Sequence, residues 1–98
     1  MVMAKNANQD QLILLDFYKE DCGQCQTMLP VLETLKQRLG NALEIVPVDV
    51  AENFGVAVAY KVRSVPALIL LKNRAICWRQ EGLLSGRDLE KIIRQFMS

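Results

Sequence analysis

Residues 12–17 read Leu-Ile-Leu-Leu-Asp-Phe, a continuous apolar run broken only by one acid. Without polar alternation, such a run suits a strand buried on both faces, which in turn needs a layer on each side of its sheet. Ala67–Leu71 is a second run of this kind. Between and after these runs the apolar period changes to that of a helix. Met28, Leu32, Leu35 and Leu39 form one stripe ended by Gly40-Asn41, and Leu89, Ile92, Ile93 and Phe96 form another. Pro30 falls inside the first stripe and is expected to bend that helix. Leu43–Val50 reads as a strand and Glu52–Tyr60 as a short helix weakened by Gly55. Lys72-Asn73-Arg74 reads as a turn, with Ala75–Gln80 returning as a strand. Ser85 and Asp88 have the spacing of a capping box at the head of the last helix. The expected order is β-α-β-α-β-β-α, an α/β fold with a central mixed sheet of four or five strands flanked by helices.

The chain has 98 residues, 51% of them apolar, which suits one domain with one modest core. Residues 1–98 are therefore read as a single domain, with the polar, aperiodic stretch 1–10 as an arm. A net charge of +1 gives no electrostatic case for nucleic acid or an anionic membrane as partner. No apolar run approaches the length of a membrane span, and residues 1–10 contain no apolar segment of a secretory signal. A cytoplasmic location is the resulting expectation.

The chain has three cysteines and no histidine. An odd count argues against a disulfide scaffold, and the absence of histidine excludes Cys-His or Ser-His catalysis within the chain. It also leaves too few ligands for a zinc site without a second chain. What remains is Cys22-Gly23-Gln24-Cys25, at the point where the first buried strand hands over to the first helix. Cys22 would lie at the helix N-terminus, where unpaired amides and the helix dipole favour a thiolate. A separation of three on the first turn sets the second sulfur beside the first. Cys77, between Ile76 and Trp78, reads as a small packed side chain.

These residues resemble the thioredoxin family. Leu15-Asp16-Phe17-Tyr18, Cys22-Gly23-Gln24-Cys25, Pro30, Val62-Arg63-Ser64-Val65-Pro66, Leu70-Leu71-Lys72-Asn73 and Gly82 follow its pattern in order. The resemblance covers roughly residues 11–97, with a CGQC site and a short segment ahead of the first strand. It implies a thioredoxin fold and a thiol-disulfide oxidoreductase acting on disulfide-containing proteins, most simply as a reductant. Cys22 would be the nucleophile and Cys25 the resolving cysteine. Asp16 would be the buried acid that moves a proton to or from Cys25, with its pKa raised by its apolar strand. Pro66, expected in the cis form, would pack against the disulfide. Val65, Gly82, Gly23 and Gln24 would contact substrate. The resemblance implies no bound cofactor and no metal, electrons from NADPH through a flavoprotein thioredoxin reductase, and a monomer.

Four residues depart from the family pattern. Asp21 stands where tryptophan is usual and Gln26 where a basic residue is common, and both would make Cys22 less acidic. Gln24 replaces a proline and would make the disulfide more oxidising. Pro47 stands where the family often has lysine, which takes a partner from Asp16. Together with the short segment ahead of it, Pro47 suggests that Leu43–Val50 is an exposed sheet edge. Two other readings use the same residues: a redox-dependent binding or chaperone-like module with little turnover, and a subunit of a larger redox system docked through that edge.

Overall fold

The computed structural model describes residues 11–97, so the arm expected over 1–10 lies outside the described residues. Four strands form one sheet: β1 (Leu12–Tyr18), β2 (Leu43–Asp49), β3 (Ala67–Lys72) and β4 (Ala75–Glu81). Three helices accompany them: α1 (Gly23–Leu39), α2 (Phe54–Ala59) and α3 (Gly86–Gln95), with a short 3-10 turn over Gly40–Ala42. The sheet order is β2-β1-β3-β4. β1 runs parallel to β2 and antiparallel to β3, and β3 runs antiparallel to β4, so the sheet is mixed. The element order is the expected one. α2 is shorter than expected, because its turn begins only after Asn53 and ends at Tyr60, where the chain enters Lys61 with φ 58°.

The two apolar runs are the two inner strands, and each feeds both faces of the sheet. Leu12 and Leu14 join Leu68 and Leu70 beneath α1 and α3, with Met28, Leu32, Leu35, Leu89 and Ile93. Leu15 and Phe17 join Val48, Ala67, Ile69 and Leu71 on the opposite face. α1 continues through Pro30, which lies on its exposed side, where water can reach the carbonyl that loses its amide partner. Gly40 ends the helix with φ 55°, a conformation that favours glycine, and its amide returns to the Lys36 carbonyl. Ser85 caps α3 by accepting a hydrogen bond from the Asp88 amide at 3.1 Å.

Each sheet edge carries one irregular residue. Asp16 pairs with Pro47 across the β1–β2 register. The Val50 amide donates to the Tyr18 carbonyl at 3.0 Å. By alternation the amides of Val48 and Val46 also face β1, and the ring nitrogen of Pro47 faces the other side. Among the described residues no strand lies there, so β2 is an edge that tolerates proline. On β4, Trp78 opposes Leu70 and Ile76 opposes Leu71, which leaves Cys77 as the extra residue of a β-bulge.

Candidate active site

The expected site begins where β1 ends. Lys19, Glu20 and Asp21 form an exposed connection, and Cys22 is the N-cap of α1 with extended backbone (φ −107°, ψ 107°). Its Sγ accepts a hydrogen bond from the Cys25 amide at 3.0 Å. In a protein cap an oxygen usually takes this bond; here a sulfur satisfies one of the orphan amides of the first turn. No acidic residue lies within that turn, and the carboxylate nearest in sequence is the exposed Asp21 just before Cys22. Cys22 and Cys25 are joined as a disulfide, with Cα atoms 5.2 Å apart. The two sulfurs differ in surroundings: Cys22 is half-buried, whereas Cys25 is 4% exposed and heads the buried stripe of α1. Gly23 and Gln24 are exposed between them.

Asp16 is the one charged side chain in the buried core among the described residues, at 5% exposure. It lies on the α1 face of β1, beneath the turns that follow Cys25. There it lines a cleft of about 350 Å³ with Leu29, Leu32, Lys36 and Pro47. Burial pushes its pKa from 3.8 up to about 6, and no neighbouring cation offsets that cost. Pro47, its cross-strand neighbour, has no charge to offer. The Lys36 ammonium is committed elsewhere, donating to the Gly40 carbonyl at 2.9 Å and the Leu43 carbonyl at 2.6 Å. A carboxyl near 6 can hold or release a proton at neutral pH, as an ordinary aspartate cannot.

The third part of the site is the segment before β3. Phe17 pairs with Ala67, so the end of β1 and the start of β3 meet at one end of the sheet. Cys22 and Pro66 therefore rise from the same end. The Val65–Pro66 peptide is cis. Pro66 is fully buried and Val65 half-buried. The Gly82 amide donates to the Pro66 carbonyl at 2.8 Å, which joins the β4–α3 connection to this loop. Gly82 has φ 92°, where a side chain would be strained whatever the space around it. Among the described residues no group of three His, Cys, Asp or Glu side chains is placed to hold a metal ion.

Residues 3–95 match the thioredoxin family model. The chain belongs to the thioredoxin family. Its members are thiol-disulfide oxidoreductases. It is 35% identical over 86 residues to the thioredoxin of Bacillus subtilis, covering 88% of this chain and 83% of that protein. To chloroplastic thioredoxin Y of Oryza sativa it is 35% identical over 77 residues, 79% of this chain. It spans about half the length of that relative (46%). Among solved structures, a mutant thioredoxin from Halobacterium salinarum superposes with a TM-score of 0.84 at 31% identity, covering all of this chain and 86% of the other.

The thioredoxin fold thus brings the disulfide, the cis-proline loop and Gly82 to one end of the sheet, with Asp16 one layer below. Sequence reasoning missed two features around them. One is the cleft that opens Asp16 to the α1–β2 side. The other is a cavity beside Val65 lined by Lys19, Val50, Phe54, Val62 and Arg63. The only signal for the second was the apolar alternation Phe54, Val56 and Val58, which fits no helical stripe. All three side chains are exposed, Phe54 at 71%.

Proposed function

We propose that the protein is a thiol-disulfide oxidoreductase that reduces disulfide-containing proteins. The observation that carries this reading is the asymmetric Cys22–Cys25 disulfide: one cysteine half-buried on the α1 N-cap, the other buried. In the dithiol form the Cys22 thiolate attacks a substrate disulfide. One substrate sulfur leaves as a thiolate and takes up a proton, and Cys22 is left in a mixed disulfide. The hydrogen bond already given to Cys22 Sγ strengthens when that sulfur is anionic, which favours the attacking form. Cys25 then loses its proton and attacks Cys22 Sγ. The mixed disulfide breaks, the second substrate thiolate leaves, and the Cys22–Cys25 disulfide forms. Two electrons pass from the dithiol to the substrate.

Asp16 is the group we assign to the Cys25 proton, because it is the acid beneath the same helix stripe and its pKa of about 6 suits transfer near neutrality. Val65, Pro66 and Gly82, with Gly23 and Gln24, would form the rim on which an extended substrate segment lies. The oxidised protein would be returned to the dithiol by NADPH through a flavoprotein reductase. It would work as a monomer in a reducing compartment, the cytoplasm, where the dithiol persists.

The test is reduction of insulin with dithiothreitol as electron donor. The protein should accelerate precipitation of the insulin B chain, and Cys22→Ser should abolish the acceleration. Reduced Cys25→Ser, mixed with insulin after the dithiothreitol is removed, should instead accumulate a mixed disulfide that mass spectrometry detects on Cys22. If the intact protein gives no acceleration yet still binds unfolded clients, the low-turnover binding module is the better description.

A further inference from the structure

The cavity beside Val65 is about 280 Å³, room for one side chain rather than a cofactor. Its wall is apolar, from Val50, Phe54, Val62 and Val65, and its charged lining residues are Lys19 and Arg63, both cations. Among the described residues neither cation's side chain forms a hydrogen bond or an ion pair. Of the acids around it, Asp49 accepts from the Ala51 and Glu52 amides at 2.9 and 3.4 Å and Glu81 accepts from the Ser64 hydroxyl at 3.1 Å, while the exposed Glu20 and Glu52 do not line the cavity and pair with neither cation. An exposed aromatic beside an apolar hollow with two unpaired cations is poor design for a surface that meets only water. It is also continuous with the proposed substrate rim. Val65 lines the cavity and precedes Pro66, and Lys19 lies three residues before Cys22.

We infer that this cavity is a specificity subsite for the substrate protein: it takes a large apolar side chain flanking the substrate disulfide, next to a carboxylate that pairs with Lys19 and Arg63. The inference rests on the thiol-disulfide reading above and adds a preference for one sequence pattern among substrates. Phe54 packs on the apolar residue, and the cations choose its neighbour. Exposed charge pairs of this kind contribute modestly and are screened by salt. The apolar contact is insensitive to salt.

The experiment uses the reduced protein and four peptides with one intramolecular disulfide each, identical except for the pair flanking the loop: Leu-Glu, Leu-Lys, Ser-Glu or Ser-Lys, on either side. The Leu-Glu peptide should be reduced about tenfold faster than Ser-Lys. Lys19→Glu with Arg63→Glu should turn the preference for Glu into one for Lys. Phe54→Ser should lower the preference for Leu over Ser. Raising the salt to about 0.5 M should shrink the Glu-over-Lys ratio alone. Equal rates for all four peptides overturn the subsite, and so do ratios that survive the substitutions. Reduction of none of them counts against the thiol-disulfide reading instead. The subsite is then judged by titrating the oxidised protein with the same peptides, their cysteines replaced by serine, and following the amide shifts of residues 62–65. Shifts with Leu-Glu and not Ser-Lys support it, and equal shifts refute it. A sedimenting dimer that Phe54→Ser dissociates, with peptide ratios unchanged, assigns the patch to a second copy of the chain and also overturns the proposal.

Discussion

On one face of the sheet, α1 and α3 cover a cluster of eleven buried side chains; on the other, the six buried residues are met by Ile13, Val46 and Val50 and by Tyr60, Val62 and Val65 of the segment that follows the six-residue α2. The deep face turns most of its apolar residues inward: Leu89 and Ile93 of α3 are fully buried, and Leu29 of α1 and Leu83 beside it are its exposed exceptions. The shallow face leaves Phe54, Val56 and Val58 exposed. The difference separates two tasks. The deep face holds the sheet and the frame of the disulfide, while the shallow face keeps apolar surface available beside the site. A residue that stabilises the fold is therefore to be sought under α1 and α3, and a residue that selects a partner near α2.

That division is breakable by mutation. Leu89→Ala removes a fully buried side chain from the deep face and should cost about 2–5 kcal/mol in urea unfolding. Phe54→Ser on the shallow face should stay within roughly 0.5 kcal/mol. Similar losses at the two positions would erase the distinction.

Asp16 is the exception on the deep face, and it predicts a pH dependence. Its folded-state pKa of about 6 lies above the 3.8 of an unperturbed aspartate, so between those values the folded protein holds the proton more tightly than the unfolded chain. Its contribution to stability is most favourable below 3.8 and is lost as pH rises through 6. At roughly 1.4 kcal/mol per pH unit the loss is about 3 kcal/mol. Oxidised Asp16→Asn should therefore match the parent near pH 3.5 and exceed it by about that amount at pH 8, read as the difference between their urea midpoints. A constant difference across the range would place the carboxyl in water.

The smallest of these effects concerns how α3 is held over the deep face. Ser85→Ala removes the acceptor of the Asp88 amide and should cost about 1 kcal/mol. Ser85→Asp should restore most of it. No change with alanine would mean that packing of Leu89 and Ile93 alone fixes the helix.

The deep face was legible in the residues because each of its parts is a local pattern. The runs at Leu12–Phe17 and Ala67–Leu71 name the inner strands, the stripe from Met28 to Leu39 names the covering helix, and Ser85 marks a helix start. The cysteine pair and Pro66 were legible for the same reason, since their meaning lies in near neighbours. Pro47 could be placed on an edge because a missing amide is a local property. The shallow-face cavity was not legible: Lys19, Val50, Phe54, Val62 and Arg63 come from segments that only the β1–β3 register and the return of α2 bring together. Nor was the cleft over Asp16, which needs α1 laid across β1 and β2. The limits of α2 were set by a backbone reversal at Lys61 that has no glycine to announce it.

The bulge in β4 resolves the arithmetic of an odd cysteine. By adding one residue opposite Leu70, it turns Cys77 and Trp78 together toward the deep core, and the Cys77 thiol reaches the Leu70 carbonyl at 3.5 Å. Burial raises its pKa, so at neutral pH it is seldom the nucleophile that thiol exchange requires. In the proposed activity two sulfurs would exchange electrons with substrate, while strand geometry holds the third half-buried against a backbone carbonyl and poorly ionised.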